Sequence, residues 1–167
     1  RTLFNIDQTL LPHVDRKAYD DALAKYGNSV EQGFGEKELR ELRPKFNAFV
    51  QSISRNLAPV RTDGSGVAHY DSQKDAIYIP RQKDFAHYID YAQETLRKII
   101  AATGHQQRLA REGMVMKNGI PPTEDAVKQE RLIAEIASGI KMLEMGLPAR
   151  LSDESVKLVD YWNRELK

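Results

Sequence analysis

The chain has 167 residues, 41% of them hydrophobic and 29% charged, which suits one globular domain with an ordinary core. Its net charge of +1 supplies no global field toward nucleic acid or membrane, so any such contact must come from a local patch. With no cysteine, a disulfide framework, a thiolate metal site and a cysteine nucleophile are excluded, and a cytoplasmic setting is expected.

The opening "RTLFNID" reads as an edge strand or docked arm, and its abrupt start as the edge of a fragment cut from a longer protein. A helix is predicted over "DRKAYDDALAKYG", with Asp15 as N-cap, Tyr19, Leu23 and Tyr26 at helical spacing, and Gly27 as its stop. "NSVEQGFG" is a loop. "EKELRELRPKFNAFVQSISRNL" is a second helix with Leu39, Leu42, Phe46, Phe49 and Ile53 on one face, and Pro44 is expected to kink or divide it. "APVRTDGSG" is a turn-rich loop. Two β-prone runs, Val67 to Tyr70 and Ala76 to Ile79, predict a hairpin over about 67–79 that Pro80 ends.

A long helix follows in "KDFAHYIDYAQETLRKIIAATG". Its apolar face comprises Phe85, Tyr88, Ile89, Ala92, Leu96, Ile99 and Ile100, and Gly104 is its stop. Tyr88 and Tyr91 are expected in the core. An irregular stretch carries His105, Arg108 and Arg111. The next helix has Thr123 as N-cap, acidic residues in its first turn and a core stripe of Leu132, Ile133, Ile136, Ile140 and Leu143. A last helix starts at Ser152 and is anchored by Trp162 with Leu158 and Leu166. The class is α+β, mostly helical with a small antiparallel sheet. No apolar run approaches the roughly 18 residues of a membrane helix, so no membrane partner is expected.

Chemistry is sparsely signalled. The histidines His13, His69, His87 and His105 include no pair four apart, and no H-E-x-x-H is present. There is no nucleophile elbow, and "GSG" at Gly64 to Gly66 is too short for a phosphate loop. Glu130 and Glu135, five apart on one helix, share a face poorly and read as ion-paired or solvated charges. Glu135 lies among apolar neighbours, so burial calls for a partner, and Arg97 or Lys98 suits. Arg97, Lys98, Arg108 and Arg111, with His105, Gln106 and Gln107 among them, form a local run of cations able to contact phosphate, or simply a solvated helix end.

The order of these pieces resembles a known family. "TLFNIDQT", the hairpin bearing Ala68-His69-Tyr70, Asp75, Ile77 and Pro80, the helix end Thr103-Gly104-His105 with Arg108-Leu109, and Glu130, Leu132 and Ala134-Glu135 resemble the zincin-like metallopeptidase domain of ArdC-type antirestriction proteins. Polyvalent proteins of phages, plasmids and conjugative transposons carry the same domain. The resemblance covers nearly the whole chain. The family's long helix reads HELxHxTGH. Anchored on Thr103-Gly104-His105, its two zinc histidines fall on Arg97 and Ala101 and its catalytic Glu on Lys98. Glu130 and Glu135 remain from the acidic helix thought to supply the third ligand. Two of the replacements are cationic and would repel Zn²⁺.

The resemblance therefore implies a single zincin-like domain over 1–167 that is degenerate. It would be a catalytically inactive binding or structural module of a mobile-element protein, with no catalytic residue, metal or cofactor. Its partners would be other domains of the parent protein or single-stranded DNA, although the family's single-strand binding is attributed to a preceding domain. His105, Arg108 and Arg111 are the candidate binding residues. Two alternatives stay open: a nucleic-acid module using Arg97, Lys98, Arg108 and Arg111, and a hydrolase with a rearranged metal site of His69, His105 and Glu135.

Overall fold

A computed structural model describes residues 14–22, 35–149 and 153–165. The expected N-terminal strand, Leu23, Tyr26, Gly27, the Ser152 cap and Leu166 lie outside the described residues. The chain divides into two compact units, Arg1–Glu41 and Leu42–Lys167. In the first, α1 (Arg16–Ala22) is capped by Asp15, whose carboxylate accepts from the Ala18 N–H at 2.9 Å.

Helix α2 (Glu36–Asn56) runs unbroken through Pro44, so the expected division does not occur. Proline removes one donor and leaves the carbonyl four residues earlier unmatched. Pro44 and its neighbour Lys45 are exposed, where water can serve that carbonyl. The inward face of α2 carries Phe46, which meets Tyr88 and Tyr91 edge-on with ring centres 6.1 and 6.3 Å away.

The sheet is small and mixed. β1 (Val60–Arg61) pairs parallel to β3 (Ala76–Tyr78), which pairs antiparallel to β2 (His69–Asp71), in the order β1-β3-β2. The hairpin forms in the register His69↔Tyr78, Tyr70↔Ile77, Asp71↔Ala76. Two details differ from the sequence expectation. The stretch read as a loop supplies a parallel strand, because the Pro59 and Arg61 carbonyls accept from Ile77 and Ile79. The first hairpin strand begins at His69, and Val67 is left exposed. Asp71 closes the turn by accepting from the Gln73 and Lys74 N–H groups.

Helix α3 (Tyr88–Thr103) starts later than its apolar pattern suggests. Asp84 accepts from the backbone and side chain of Arg81, closing a separate 3₁₀ turn at Gln82–Asp84. Leu96, Ile99 and Ala102 of α3 are buried, as is Ile77 of the sheet. Helix α4 (Glu124–Glu144) begins at Thr123, whose hydroxyl accepts from the Ala126 N–H at 3.2 Å.

The expected core stripe of α4 is overturned. Ile136, Ile140 and Leu143 are exposed, Leu132 and Ile133 half-buried, and the buried face is Ala126, Glu130, Glu135, Ser138 and Met142. The helix is turned so that its two carboxylates reach arginines, for reasons given below. Helix α5 (Asp153–Glu165) packs against α4, with Trp162 half-buried and edge-on to Tyr161. Among the described residues, no helix is long and apolar enough to cross a membrane.

Candidate functional site

Three arginines organise the second unit, and each takes a carboxylate. Arg97 projects from mid-α3 toward α4. Its Nε and Nη2 donate to the two oxygens of Glu135, both at 2.7 Å, and its Nη1 donates to Glu94 at 2.8 Å. Lys98 binds the other Glu94 oxygen at 2.8 Å. The result is an alternating chain, Glu135–Arg97–Glu94–Lys98, whose formal charges cancel. Glu135 is only 6% exposed, so without the guanidinium its charge would be stranded in a poorly solvated position. Two parallel N–H···O bonds match the planar fork to the carboxylate. Burial works against the charge of Glu94, but the bonds from Lys98 and Arg97 outweigh it and lower its pKa. For Arg97 burial likewise opposes charge, and its carboxylate partners more than restore it.

Arg111 does the same one helical step away. Its Nε and Nη2 hold Glu130 at 2.7 and 2.6 Å, while Nη1 and Nη2 donate to the Thr103 hydroxyl and the Ile100 carbonyl. It thereby closes the end of α3 onto α4. Two glycines make room. A Cβ on Gly104 would meet the Arg111 guanidinium at 2.9 Å, and one on Gly113 would meet the Ala126 carbonyl oxygen at 2.3 Å. The second contact is with backbone, which cannot move aside cheaply.

Arg108 holds the hairpin. Its Nε donates to the Ala102 carbonyl at 2.8 Å, and its Nη1 to the Leu57 carbonyl at 3.2 Å and to Asp75 at 3.0 Å. Its Nη2 also binds Asp75 and Tyr70, and the Tyr70 hydroxyl donates to Asp75 at 2.6 Å. The Arg108 bonds hold the Asp75 carboxyl down at about 2, against the effect of burial and with help from Tyr70. Burial and then the neighbouring Asp75 raise the Tyr70 phenol.

Arg97, Lys98, Ala101, Glu130 and Glu135 come together along one cleft of about 910 Å³ between α3, α4, α5 and the hairpin. His69 also reaches it, stacked on Tyr78 at 4.8 Å. His105 does not. It is buried beyond the end of α3, where its Nδ1 accepts from the Gln107 N–H. The rearranged site of His69, His105 and Glu135 is therefore not assembled, and no three His, Asp or Glu side chains converge as metal ligands among the described residues. The cleft does not fit a zinc ion. Arg97 and Ala101 offer the cleft a guanidinium and a methyl group, and both Glu135 oxygens already accept from Arg97, so none of the three presents a free metal donor.

The cation run read from the sequence is not a free patch, because Arg97, Arg108 and Arg111 each spend their charge on a carboxylate. Glu94 was missed. Its spacing, three before Arg97 and four before Lys98, is the sequence signal that finds it. Arg131, Lys157 and Tyr161 of the cleft wall were missed as well, and carried no local signal.

The chain belongs to the zincin-like metallopeptidase family, whose pattern matches residues 45–167. It is similar to two crystal structures of the antirestriction protein ArdC from plasmid R388. The Mn(II)-bound form is 26% identical with a TM-score of 0.60, and the metal-free form 27% identical with a TM-score of 0.58. Each similarity covers 74% of this chain, but only 43% and 41% of the respective ArdC chains, so the chain spans less than half of the protein it resembles. No curated protein sequence matches it.

Proposed function

We propose that this zincin-like family member is a non-catalytic binding or structural module of a mobile-element protein, in which a guanidinium stands where the family holds its metal. One observation carries the reading: Arg97, at the position aligned with the first zinc histidine, is locked by two bonds onto Glu135 of the acidic helix. A cation is retained between α3 and α4, but one that cannot polarise a carbonyl or activate water as a metal does. Lys98, aligned with the catalytic Glu, is a cation bound to Glu94 and offers no general base.

The former active-site positions Arg97, Lys98, Ala101, Glu130 and Glu135 thus become a scaffold for the cleft. ArdC itself has been crystallised with Mn(II); on the reading proposed here, this chain has replaced that metal with Arg97. We place the module in the cytoplasm, acting on other domains of its parent protein or on a ligand in the cleft. A nucleic-acid role through Arg97, Lys98, Arg108 and Arg111 is disfavoured, because a strand would have to break the ion pairs of all four.

The test is reversion. The triple variant Arg97→His, Lys98→Glu, Ala101→His should take up one Zn²⁺ per chain in a calorimetric titration, where the parent takes up none. Uptake by the parent, or a natively folded triple variant that binds no zinc, would overturn the assignment.

A further inference from the structure

Asparagine followed by glycine occurs once in the chain, at Asn118–Gly119, in the loop between Arg111 and the Thr123 cap of α4. The pair makes a two-residue hairpin turn. The Lys117 N–H donates to the Ile120 carbonyl at 3.0 Å, and the Ile120 N–H to the Lys117 carbonyl at 2.9 Å. Asn118 and Gly119 have φ of 53° and 78°. A hairpin turn of this kind needs positive φ at both central residues, which asparagine tolerates and glycine adopts freely.

The same two residues form a reactive arrangement. The two bonds that close the turn leave the Gly119 nitrogen outside them, and glycine has no side chain to obstruct that nitrogen. Ring closure onto the Asn118 side chain requires the turn to open, and little resists it. Both residues are exposed, and even a Cβ added to Gly119 would find nothing within 4 Å.

The other asparagines among the described residues differ. Asn47 and Asn56 lie in α2 and Asn163 in α5. Helical geometry fixes the nitrogen that follows each of them in a backbone hydrogen bond. After Asn56, for example, the Leu57 N–H donates to the Ile53 carbonyl at 2.9 Å.

We propose that Asn118 is a site of spontaneous deamidation, a one-way chemical change in the loop between α3 and α4. The Gly119 nitrogen gives up its proton to base and bonds to the side-chain carbonyl carbon of Asn118. The carbon–nitrogen bond of the side-chain amide breaks, and that nitrogen leaves as ammonia after taking up a proton. Water then opens the succinimide at either carbonyl, leaving aspartate or isoaspartate. Either product puts a carboxylate beside Lys117, whose ammonium holds Glu112 at 2.9 Å. Isoaspartate also adds a carbon to the backbone of the turn, which parts the bonded ends at Lys117 and Ile120. The pairing of Arg111 with Glu130 does not pass through the turn, so α3 and α4 stay joined.

The experiment incubates the full chain, folded and urea-unfolded, at neutral and alkaline pH and maps its peptides by mass spectrometry. In the folded chain Asn118 should show the mass gain of an amide-to-acid conversion, with isoaspartate the major product. The rate should rise with pH, because the attacking nitrogen must lose a proton. Asn47, Asn56 and Asn163 should stay intact. Gly119→Ala keeps Asn118 but obstructs the attack, and should slow the conversion several-fold with circular dichroism unchanged. In the isoaspartyl chain the Lys117 and Ile120 amides should lose protection from hydrogen exchange, while the melting temperature is unchanged. An Asn118 that converts only in the unfolded chain, or a rate indifferent to Gly119→Ala, would overturn the proposal. Full protection of both amides in the isoaspartyl chain would overturn its effect on the loop.

Discussion

The two faces of α4 reverse the usual order. Its inner face buries Glu130, Glu135 and Ser138, and its outer face leaves Ile136 51%, Ile140 62% and Leu143 66% exposed. Burying an apolar side chain such as leucine or isoleucine contributes about 1.5–3 kcal/mol, which alone would favour the opposite rotation. That rotation would strand Arg97 and Arg111, which project from the α3 side with their charge unspent, and breaking a buried pair costs about 3–5 kcal/mol. Two such pairs, at about 6–10 kcal/mol, match or exceed the roughly 5–9 kcal/mol that burying the three exposed side chains would contribute. Hydrophobic spacing therefore identifies a helix more securely than it identifies the face it buries, when the neighbouring helix presents fixed cations.

Substitutions on the two faces sharpen this contrast. Arg97→Ala should have the largest effect. It leaves Glu135 buried and unpaired, and should lower stability by about 3–5 kcal/mol, or roughly 6–20 °C in melting temperature at this chain length. The paired replacement Arg97→Met with Glu135→Leu should recover most of that loss, because no charge is left stranded. An Arg97→Ala protein as stable as the parent would show that the ion pair does not set the rotation of α4.

Arg108→Ala should follow, at about 2–3 kcal/mol, since it abandons the Ala102 and Leu57 carbonyls together with Asp75. Its electrostatic share has a pH signature. The Asp75 carboxyl is held at about 2, below the ordinary unfolded value of about 3.9. A depressed carboxyl stabilises the fold fully above the unfolded value and loses that contribution as pH falls through the folded one. The stability difference between the parent and Asp75→Asn, from urea midpoints, should be constant above about pH 5 and shrink as pH falls toward about 2. A difference that does not change over that window would count against the pairing.

Gly113→Ala should cost about 1–3 kcal/mol, as the added methyl forces the loop from the Ala126 carbonyl and drags on Arg111. The smallest effect belongs to the outer face: Ile140→Gln should change stability by no more than about 0.5 kcal/mol. A loss near that of a core isoleucine, measured by the same urea titration, would mean that this face is covered in solution.

Much of the fold was legible where local chemistry decides. Asp15 and Thr123 cap their helices because a short oxygen-bearing side chain before a periodic run has few other uses. The hairpin follows from two β-prone runs and a turn closed by Asp71. What sequence could not place is non-local. β1 is too short for periodicity to mark and exists only because β3 offers it an edge. The roles of Arg108 and Arg111 inverted for the same reason. As a run they read as a solvated helix end or a phosphate-binding patch, but the partners that consume them, Asp75 and Glu130, lie 33 and 19 residues away. The shared motif residues Tyr70, Asp75 and Arg108 turn out to be one hydrogen-bonded cluster, so part of the family resemblance records a structural tie between hairpin and helix.

A guanidinium in the metal's place is the premise of the proposed function, and elemental analysis of protein purified without added metal or chelator tests it most directly. It predicts zinc and manganese far below one equivalent per chain. One equivalent of either, retained through gel filtration, would contradict it and show that Arg97 and Glu135 part to admit a metal.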